Sequence, residues 1–365
     1  MSTMARAPAP RRATITDVAR EAGTGKTSIS RYLNGEMNVL SPELRARIEA
    51  AIERLDYQPN QMARGLKRGR NRLIGMLVAD LTNPYSVEVL QGVEAACHAL
   101  GYMPLICHAA NEVEMERRYL QLLTTYRVEG VIVNALGVRE ETLRPVGDGG
   151  IPAVLVDRTV EGLTADMVGL DNAAAARSGT RHLLEQGFDD IRFVVQPFEQ
   201  VSSRRLREAA FHDEIAGAQG VRGQTVVFDL ADETSAQASL AALDRDVDAA
   251  SEAGSEQGSK QGSKQGSQRG SKRIAWFAAN APVALRLALH LNTRYGAHWQ
   301  ERVALLSFDD PEWAELAGIS TIRQPTYDIG YRAVEFLNER IDGATEAARD
   351  CLLPGELIVR ASTGR

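Results

Sequence analysis

The chain has 365 residues, a formal net charge of -6 and 44% hydrophobic residues. The opening segment MSTMARAPAPRR lacks an apolar signal-peptide core, and no stretch of about eighteen apolar residues follows, so neither export nor a membrane span is expected. Three cysteines without a C-x-x-C pair are typical of the reducing cytoplasm, where we expect the protein to act.

The net negative charge conceals a basic amino-terminal segment. Residues 1–72 hold 14 basic and 7 acidic side chains, whereas residues 73–365 hold 28 and 41. This distribution indicates a nucleic-acid-binding module attached to a body that repels phosphate.

The first predicted helix lies in TITDVAREA, residues 14–22, after a tail of residues 1–12 that we expect to be disordered. Thr16 is its predicted N-cap. The GTGKT that follows, residues 23–27, matches the end of a phosphate-binding loop. That motif also requires a preceding strand and a glycine at the position of Arg20, so the stretch is interpreted as a turn between two helices.

A second helix follows this turn, with Ile29 and Leu33 facing the first helix and a polar, partly basic face left exposed. Such a face suits the major groove of DNA. A third helix is predicted after Ser41 as N-cap, with Pro42 at its first position. Residues 13–58 therefore form a predicted helix-turn-helix headpiece. A helical cap on an enzyme is the alternative, against which the basic charge counts.

Residues 59–71 form a basic hinge or linker. Pro59 can begin a helix, but such a short segment should be disordered alone in water. Two copies meeting on a duplex would place a pair of Leu66 side chains as a wedge between base steps of the minor groove. A solvated basic linker is the alternative, and the residues alone do not decide between the two.

Buried apolar runs such as LIGMLVAD, GVIVNAL and VALLSFD alternate with helical stretches in the body. This alternation predicts an α/β fold of doubly wound parallel sheets, and nearly 300 residues require two lobes. We assign residues 72–170 and 324–352 to the N-terminal lobe, and residues 171–323 and 353–365 to the C-terminal lobe. Within the latter, the low-complexity repeat of residues 251–272 is a predicted surface loop to which we assign no function.

Ligands of open α/β sheets bind beyond the carboxyl ends of the strands. Each polar residue there is, taken singly, more often a cap or loop residue, but their recurrence favours a small ligand rich in hydroxyl groups. The residues at the predicted strand ends are Asp80, Asn83, Pro84, Tyr85, Asn134, Asp157, Arg158, Gln196, Asn280, Asp309 and Asp310.

The runs TITDVAREAGTGKTSISRYLNG, LDYQPNQMARGLKRGRNRLIGMLVADLTNPY and LPGELIVRAST resemble the LacI/GalR family of bacterial transcription regulators. The resemblance covers residues 13–365 apart from the repeat, and implies a headpiece joined to a two-lobed body like that of periplasmic binding proteins. It also implies that Lys26, Thr27 and Arg31 read bases while Ser30 and Asn34 contact or position phosphates. The candidate DNA contacts of the hinge are Asn60, Arg64, Leu66 and Lys67.

For the body, the resemblance adds Ser203 and Arg207 to the candidate effector contacts. The full candidate set is Asn83, Tyr85, Asn134, Asp157, Arg158, Ser203, Arg207, Asn280 and Asp309. The chain departs from the family pattern at Thr24-Gly25, where Val-Ser is usual, and at Ala210, where Gly is frequent. The first departure removes a side-chain N-cap from the second helix.

Arg158 and Arg207 suit a carboxylate, although an arginine at this place in the family also binds neutral sugars. The runs MARGLKRGR, RLIGMLVAD and VGLDN are similar to those of 2-ketogluconate-responsive repressors of the family. A sugar acid is therefore the predicted effector, and a neutral sugar is the alternative. A secreted or periplasmic sugar-binding protein is the rival from a different class, but it would need a signal peptide and has no use for a basic headpiece. A cytoplasmic sugar-binding protein without a regulatory role is a further alternative.

Catalytic, metal and cofactor sites are not expected. The six histidines show no H-x-x-x-H spacing, and no G-x-S-x-G motif is present. The expected partners are a palindromic double-stranded operator, a sugar or sugar-acid effector and a second copy of the chain, with a tetramer as a further possibility. Such a regulator would be cytoplasmic and associated with the nucleoid. The sequence does not fix whether the effector releases the operator or strengthens its binding.

Overall fold

The computed structural model describes residues 12–58, 70–134, 150–160, 162–198, 201–258 and 273–364. The chain forms two compact units, Met1–Asn71 and Arg72–Arg365. The predicted tail, most of the low-complexity repeat and the four hinge contacts, namely Asn60, Arg64, Leu66 and Lys67, lie outside the described residues.

Three helices form the headpiece: α1 (Ile15–Glu21), α2 (Lys26–Leu33) and α3 (Pro42–Arg54). They enclose a small core in which Val18, Ile29 and Ile48, one from each helix, are fully buried. Gly23 adopts a φ of 61° in the turn between α1 and α2, a left-handed conformation that glycine adopts without steric cost.

The N-cap of α1 is Thr14, and the prediction of Thr16 was wrong. The backbone N–H of Asp17 donates to Thr14 Oγ1 at 3.4 Å, and Asp17 Oδ2 accepts from the Thr14 N–H at 2.9 Å. This reciprocal pair satisfies two N–H groups at once, an advantage that a cap at Thr16 would lack. The predicted start of α3 is confirmed, because Ser41 Oγ accepts from the Leu44 N–H at 3.2 Å and Pro42 is the first helical residue.

The body contains two six-stranded sheets. Their strands are, in chain order, β1 (Leu73–Val78), β2 (Met103–His108), β3 (Gly130–Asn134), β4 (Ala153–Val156), β5 (Asp166–Leu170), β6 (Asp190–Val195), β7 (Arg222–Val227), β8 (Ile274–Ala278), β9 (Ala304–Phe308), β10 (Ser320–Arg323), β11 (Asp350–Leu353) and β12 (Glu356–Ile358).

The two sheets repeat one topology. The first has the order β11-β5-β4-β3-β1-β2, and the second has the order β12-β10-β9-β8-β6-β7. All neighbouring pairs are parallel except β10 and β12. Central strands such as β3 and β9 are buried along their whole length, which explains their unbroken apolar sequences. The predicted α/β fold of parallel sheets is confirmed.

Helices cover both sheets. They are α4 (Pro84–Leu100), α5 (Val113–Thr125), α6 (Asn172–Glu185), α7 (Ser202–Ala216), α8 (Glu233–Gly258), α9 (Ala281–Tyr295), α10 (Glu312–Leu316) and α11 (Thr326–Ile341).

Helix α11 follows a strand of the second sheet but packs against α4 on the first. A Cβ atom added to Gly92 would lie 2.0 Å from the carbonyl oxygen of Tyr327, and one added to Gly330 would lie 2.0 Å from that of Val89. The two helix backbones are therefore in direct contact, which only glycine permits at these positions. The chain passes between the sheets three times, after β5, after β10 and after β11.

Helix α8 continues to Gly258, eight residues into the segment predicted to be a loop. The loop prediction was wrong for residues 251–258. Adding a residue to an existing helix costs far less than starting one, and the earlier part of α8 is anchored in the core through Leu240, Leu243 and Val247.

Candidate functional site

The exposed face of α2 is the candidate DNA-binding surface of the headpiece. Ile29 is fully buried against the other two helices, which turns the opposite side of α2 outward. Lys26, Thr27 and Arg31 are exposed on that side, whereas Ser30 and Asn34 are partly buried. The structure thus brings together the five residues predicted to contact DNA in this helix, and their contacts with DNA stay a prediction.

Helix α2 follows Gly25, its N-cap, which provides no side-chain hydrogen bond. Its φ and ψ of -83° and 154° are accessible to any residue, and a Cβ atom added there meets nothing within 4 Å. The sequence departure at this position therefore leaves helix-end N–H groups without a side-chain acceptor but creates no strain.

A Gly25→Ser substitution should stabilise α2 by a few tenths of a kcal/mol, because the serine hydroxyl can accept from a first-turn N–H. In the full-length protein, amide hydrogens of α2 should then exchange about twofold more slowly. Gly25→Ala, which adds the methyl group without the hydroxyl, is the matched control. Equal slowing in both variants would show that chain stiffness rather than capping is responsible.

A cavity of about 700 Å³ lies between the two lobes of the body. All nine residues predicted to contact an effector line it: Asn83, Tyr85, Asn134, Asp157, Arg158, Ser203, Arg207, Asn280 and Asp309. Asp310 points elsewhere, because its carboxylate accepts from Arg323 Nη2 at 2.7 Å and from Arg360 Nη1 at 2.6 Å. The Asp310 carboxylate, next to Asp309 at the end of β9, therefore has a structural role.

Asp157 connects the two lobes across the cavity. It follows β4 with a φ of 66°, and its Oδ2 accepts from Ser203 Oγ, at the start of α7, at 3.0 Å. Arg158 Nε lies 3.7 Å from Asp157 Oδ2, and Arg207 Nη2 lies 4.0 Å from Oδ1. A single carboxylate of the N-terminal lobe thus faces two guanidinium groups.

Arg207 is held rigidly in the wall. Its Nε donates to Asn172 Oδ1 at 2.6 Å and its Nη1 donates to the Ala279 carbonyl at 2.7 Å. The guanidinium stacks on Phe308, with its Cζ atom 4.0 Å from the ring centroid. These contacts fix the orientation of the third nitrogen, Nη2, before any ligand arrives.

Asp309 occupies the position in the second lobe that Asp157 occupies in the first. It follows β9 with a φ of 70°. Its Oδ2 accepts from the Ala281 N–H at 2.8 Å and its Oδ1 accepts from Gln324 Nε2 at 2.6 Å. Burial raises the pKa of Asp309 above its usual range, although the positive charge of Arg207 opposes the shift.

Some buried polar atoms of the cavity have no hydrogen-bond partner within the part of the chain that the structure describes. Among them are the Tyr85 hydroxyl, Asp157 Oδ1 and Gln324 Oε1. Burial also raises the pKa of Tyr85 well above its usual range, so this hydroxyl is a donor at neutral pH. Polar atoms of this kind are rare in a packed interior and suit the hydroxyl groups of a ligand.

Several residues that line the cavity were not predicted from the sequence, among them Arg204, Trp313 and Gln324. Trp313, on the short helix α10, presents a half-buried aromatic ring of the kind that stacks on sugar rings. No sequence signal marks Trp313. Arg204 directly follows Ser203, and its position in the first turn of a helix that begins at a strand end was the available signal.

Family models match three parts of the chain. Residues 14–60 match the bacterial regulatory proteins of the lacI family, and residues 71–243 match the periplasmic binding proteins and sugar binding domain of the LacI family. Residues 180–363, about half of the chain, match the periplasmic binding protein-like domain.

The chain belongs to the LacI family. It is 41% identical over 358 residues to the HTH-type transcriptional regulator PtxS of Pseudomonas aeruginosa, with 98% of this chain and 97% of PtxS covered. It is also 33% identical to the HTH-type transcriptional regulator KdgR of Bacillus subtilis, with 96% and 97% covered. The suspected family membership is thereby confirmed, and the protein is a DNA-binding transcriptional regulator.

The fold agrees with that of solved LacI-family structures. The lac repressor dimer bound to operator and the anti-inducer ONPF matches with a TM-score of 0.76 at 22% identity, covering 97% of this chain and 99% of that chain. Within the described ranges, no helix is long and apolar enough to cross a membrane, and no cluster of three or more His, Cys, Asp and Glu side chains could hold a metal ion.

Proposed function

We propose that this LacI-family protein binds a palindromic double-stranded operator as a homodimer, and that a sugar acid bound in the cavity changes its operator affinity. The observation that carries the proposal is the cavity itself, in which polar side chains from both lobes converge in a chain that also bears a helix-turn-helix headpiece. The alternative effector is a neutral sugar. We further propose that the protein acts in the cytoplasm, associated with the nucleoid.

The arginines of the cavity favour an acid. Arg158, Arg204, Arg207 and Arg286 line it together with Asp80, Asp157, Asp229 and Asp309. A carboxylate on the ligand would accept directed hydrogen bonds from guanidinium groups of the wall. The sequence runs that resemble those of 2-ketogluconate-responsive repressors of the family support 2-ketogluconate as the first sugar acid to test.

The lobes are already linked around the cavity. Besides the pair of Asp157 and Ser203, the Thr159 N–H donates to Ser202 Oγ at 3.0 Å. An effector that contacts both lobes would favour one arrangement of them, and residues 59–71 connect the first lobe to the headpiece. The resulting change in operator binding cannot exceed the difference in effector affinity between the two arrangements.

Exposed apolar side chains support the homodimer. β2 and β7 are the edge strands on corresponding sides of the two sheets. Met103 and Leu105 of β2 and Val227 of β7 are exposed, as is Leu289 of α9. Exposed apolar side chains along an edge strand are a surface on which another chain can pack. Two headpieces held in this way match a two-fold operator, and the hinge residues, including Leu66, would then meet over its minor groove.

The test is the fluorescence anisotropy of a palindromic operator from DNA upstream of the gene, titrated with the full-length protein at several salt concentrations with and without 2-ketogluconate. Steeply salt-dependent, sequence-preferring binding that the sugar acid changes in either direction is expected. Operator binding without a response would remove the effector proposal. Failure to bind any duplex would favour a sugar-binding protein without a regulatory role.

Arg31→Ala should lower operator affinity by about 10- to 100-fold, which corresponds to about 1–3 kcal/mol for a lost base contact. The loss should be smaller on unrelated duplexes, because phosphate contacts carry most nonspecific affinity. Arg54→Ala, which removes an exposed arginine from α3, is the control and should change affinity less than about threefold. Equal losses on operator and unrelated DNA would reassign Arg31 to phosphate contact.

A further inference from the structure

Arg204, in the first turn of α7, has a guanidinium group in the cavity wall, and the residues that the structure describes give it no acidic partner within ion-pair distance. Its Nη1 donates to the Pro197 carbonyl at 2.8 Å and its Nη2 donates to Gln196 Oε1 at 2.8 Å. Both acceptors are neutral. An arginine has five N–H donors, so three of those of Arg204 are left for other contacts.

The carboxylates of Asp157 and Asp309 interact with groups other than Arg204. Asp157 lies within 4.0 Å of Arg158 and Arg207, and Asp309 accepts hydrogen bonds from Gln324 and from a backbone N–H. Among the described residues, no carboxylate lies within ion-pair distance of Arg204. Burial, reinforced by the charges of Arg158 and Arg207, lowers the pKa of Arg204 to about 10. The Arg204 guanidinium is therefore a buried cation whose hydrogen-bond acceptors in the described residues are neutral.

Two further features of the cavity suit an anion. The N-cap of α7, Val201, provides no side-chain hydrogen bond, and the first turn of the helix contains no acidic residue. Tyr85 lines the same cavity and is 94% buried. Its hydroxyl has no hydrogen-bond partner within the described ranges. The positive end of a helix, an arginine and a hydroxyl donor are the groups that bind carboxylates.

We propose that Arg204, assisted by Arg158, binds the carboxylate of the effector, while Asp157, Arg207 and Asp309 bind its hydroxyl groups. The inference rests on the proposed function and assigns acid specificity to one residue of the same cavity. A carboxylate can be bound by the free N–H donors of one guanidinium group, whereas the phosphate of a phosphorylated sugar would bring further negative charge beside Asp157 and Asp309.

The experiment is calorimetric titration of the full-length protein with gluconate, 2-ketogluconate, glucose and glucose 6-phosphate. Arg204→Gln should weaken binding of the better sugar acid about 10- to 100-fold, the usual worth of a charged hydrogen bond, and change glucose binding less than about threefold. Arg205→Gln removes an exposed arginine one position further along α7 and should leave all affinities unchanged. Thermal unfolding of each variant verifies that it is folded.

The Arg204→Lys variant distinguishes the effect of losing the positive charge from the effect of disturbing the local structure. It should retain part of the preference for the acid because its ammonium group keeps the charge, whereas a purely structural role would leave Lys and Gln equally impaired for every ligand. An unchanged ratio of acid to glucose affinity in Arg204→Gln would overturn the inference and leave the proposed function standing. Tighter wild-type binding of glucose 6-phosphate than of either acid would also overturn it. A wild-type protein that binds none of the four sugars and shows no operator response would instead remove the proposed effector.

Discussion

An Asp166→Asn substitution should lower the free energy of unfolding of the body by about 3 kcal/mol, because it leaves two arginines facing a neutral amide. Asp166 begins β5, and its side chain is fully buried. It accepts from Arg340 Nε and Nη2, each at 2.8 Å, and from the backbone N–H and Nη2 of Arg349 at 2.8 and 3.0 Å. This carboxylate attaches α11 and the start of β11 to the first sheet.

The matched control is Glu214→Gln. Glu214 accepts from Arg181 at 2.9 and 2.6 Å in a similar two-point contact, but that arginine is 61% exposed. Its loss should cost less than about 1 kcal/mol, because water screens exposed pairs. Urea unfolding at equal m-values measures both variants. Similar losses in the two would show that burial does not strengthen the Asp166 cluster.

The same cluster predicts a dependence on pH. Burial opposes ionisation of Asp166, but the hydrogen bonds from Arg340 and Arg349 outweigh it and hold its pKa well below the usual range. A folded-state pKa below the unfolded value means that the stabilisation is complete above about pH 4 and is lost as the pH falls further. The stability difference between wild type and Asp166→Asn should therefore shrink on acidification below about pH 4.

Arg207→Lys should weaken effector binding about 100-fold while leaving operator binding without effector within about threefold of wild type. Lysine retains the charge but cannot reproduce the two directed hydrogen bonds to Asn172 and Ala279 or the flat stack on Phe308. The side chain at position 207 would no longer be held in a fixed orientation, so the affinities for acid and neutral ligands should fall by similar factors.

Calorimetry and operator anisotropy on one preparation separate these effects. Arg205→Lys, on the exposed side of α7, is the control for the change of residue type. A selective loss of acid binding in Arg207→Lys would move the carboxylate contact from Arg204 to Arg207. Full retention of effector binding would show that Arg207 acts only in packing.

The architecture could be derived from the sequence because the strands are buried on both faces and therefore appear as apolar runs. The same regularity located the cavity, since the residue after each run falls at one edge of a parallel sheet. Asn134, Asp157 and Asp309 were found in this way and line the cavity together. Their position follows from topology rather than from detailed packing.

The features that could not be predicted from the sequence depend on the direction of side chains and on competition between nearby groups. Arg204 and Trp313 lie on helices, where a shift of about two residues reverses the direction of a side chain. Thr14 and Thr16 could both cap α1, and only the reciprocal bond with Asp17 decides between them. The extension of α8 through a polar repeat likewise reflects propagation from a packed helix, which the composition of the repeat does not reveal.

The repeated strand order of the two sheets has a consequence for how the body distinguishes the ends of a ligand. β4 and β9 occupy the same position in their sheets, and each delivers an aspartate with left-handed backbone to the cavity. Main-chain geometry therefore offers an elongated molecule two nearly equivalent orientations. Head-to-tail polarity must come from side chains present in one half only, and a regulator of this architecture can acquire a new effector by exchanging those few residues while both halves stay intact.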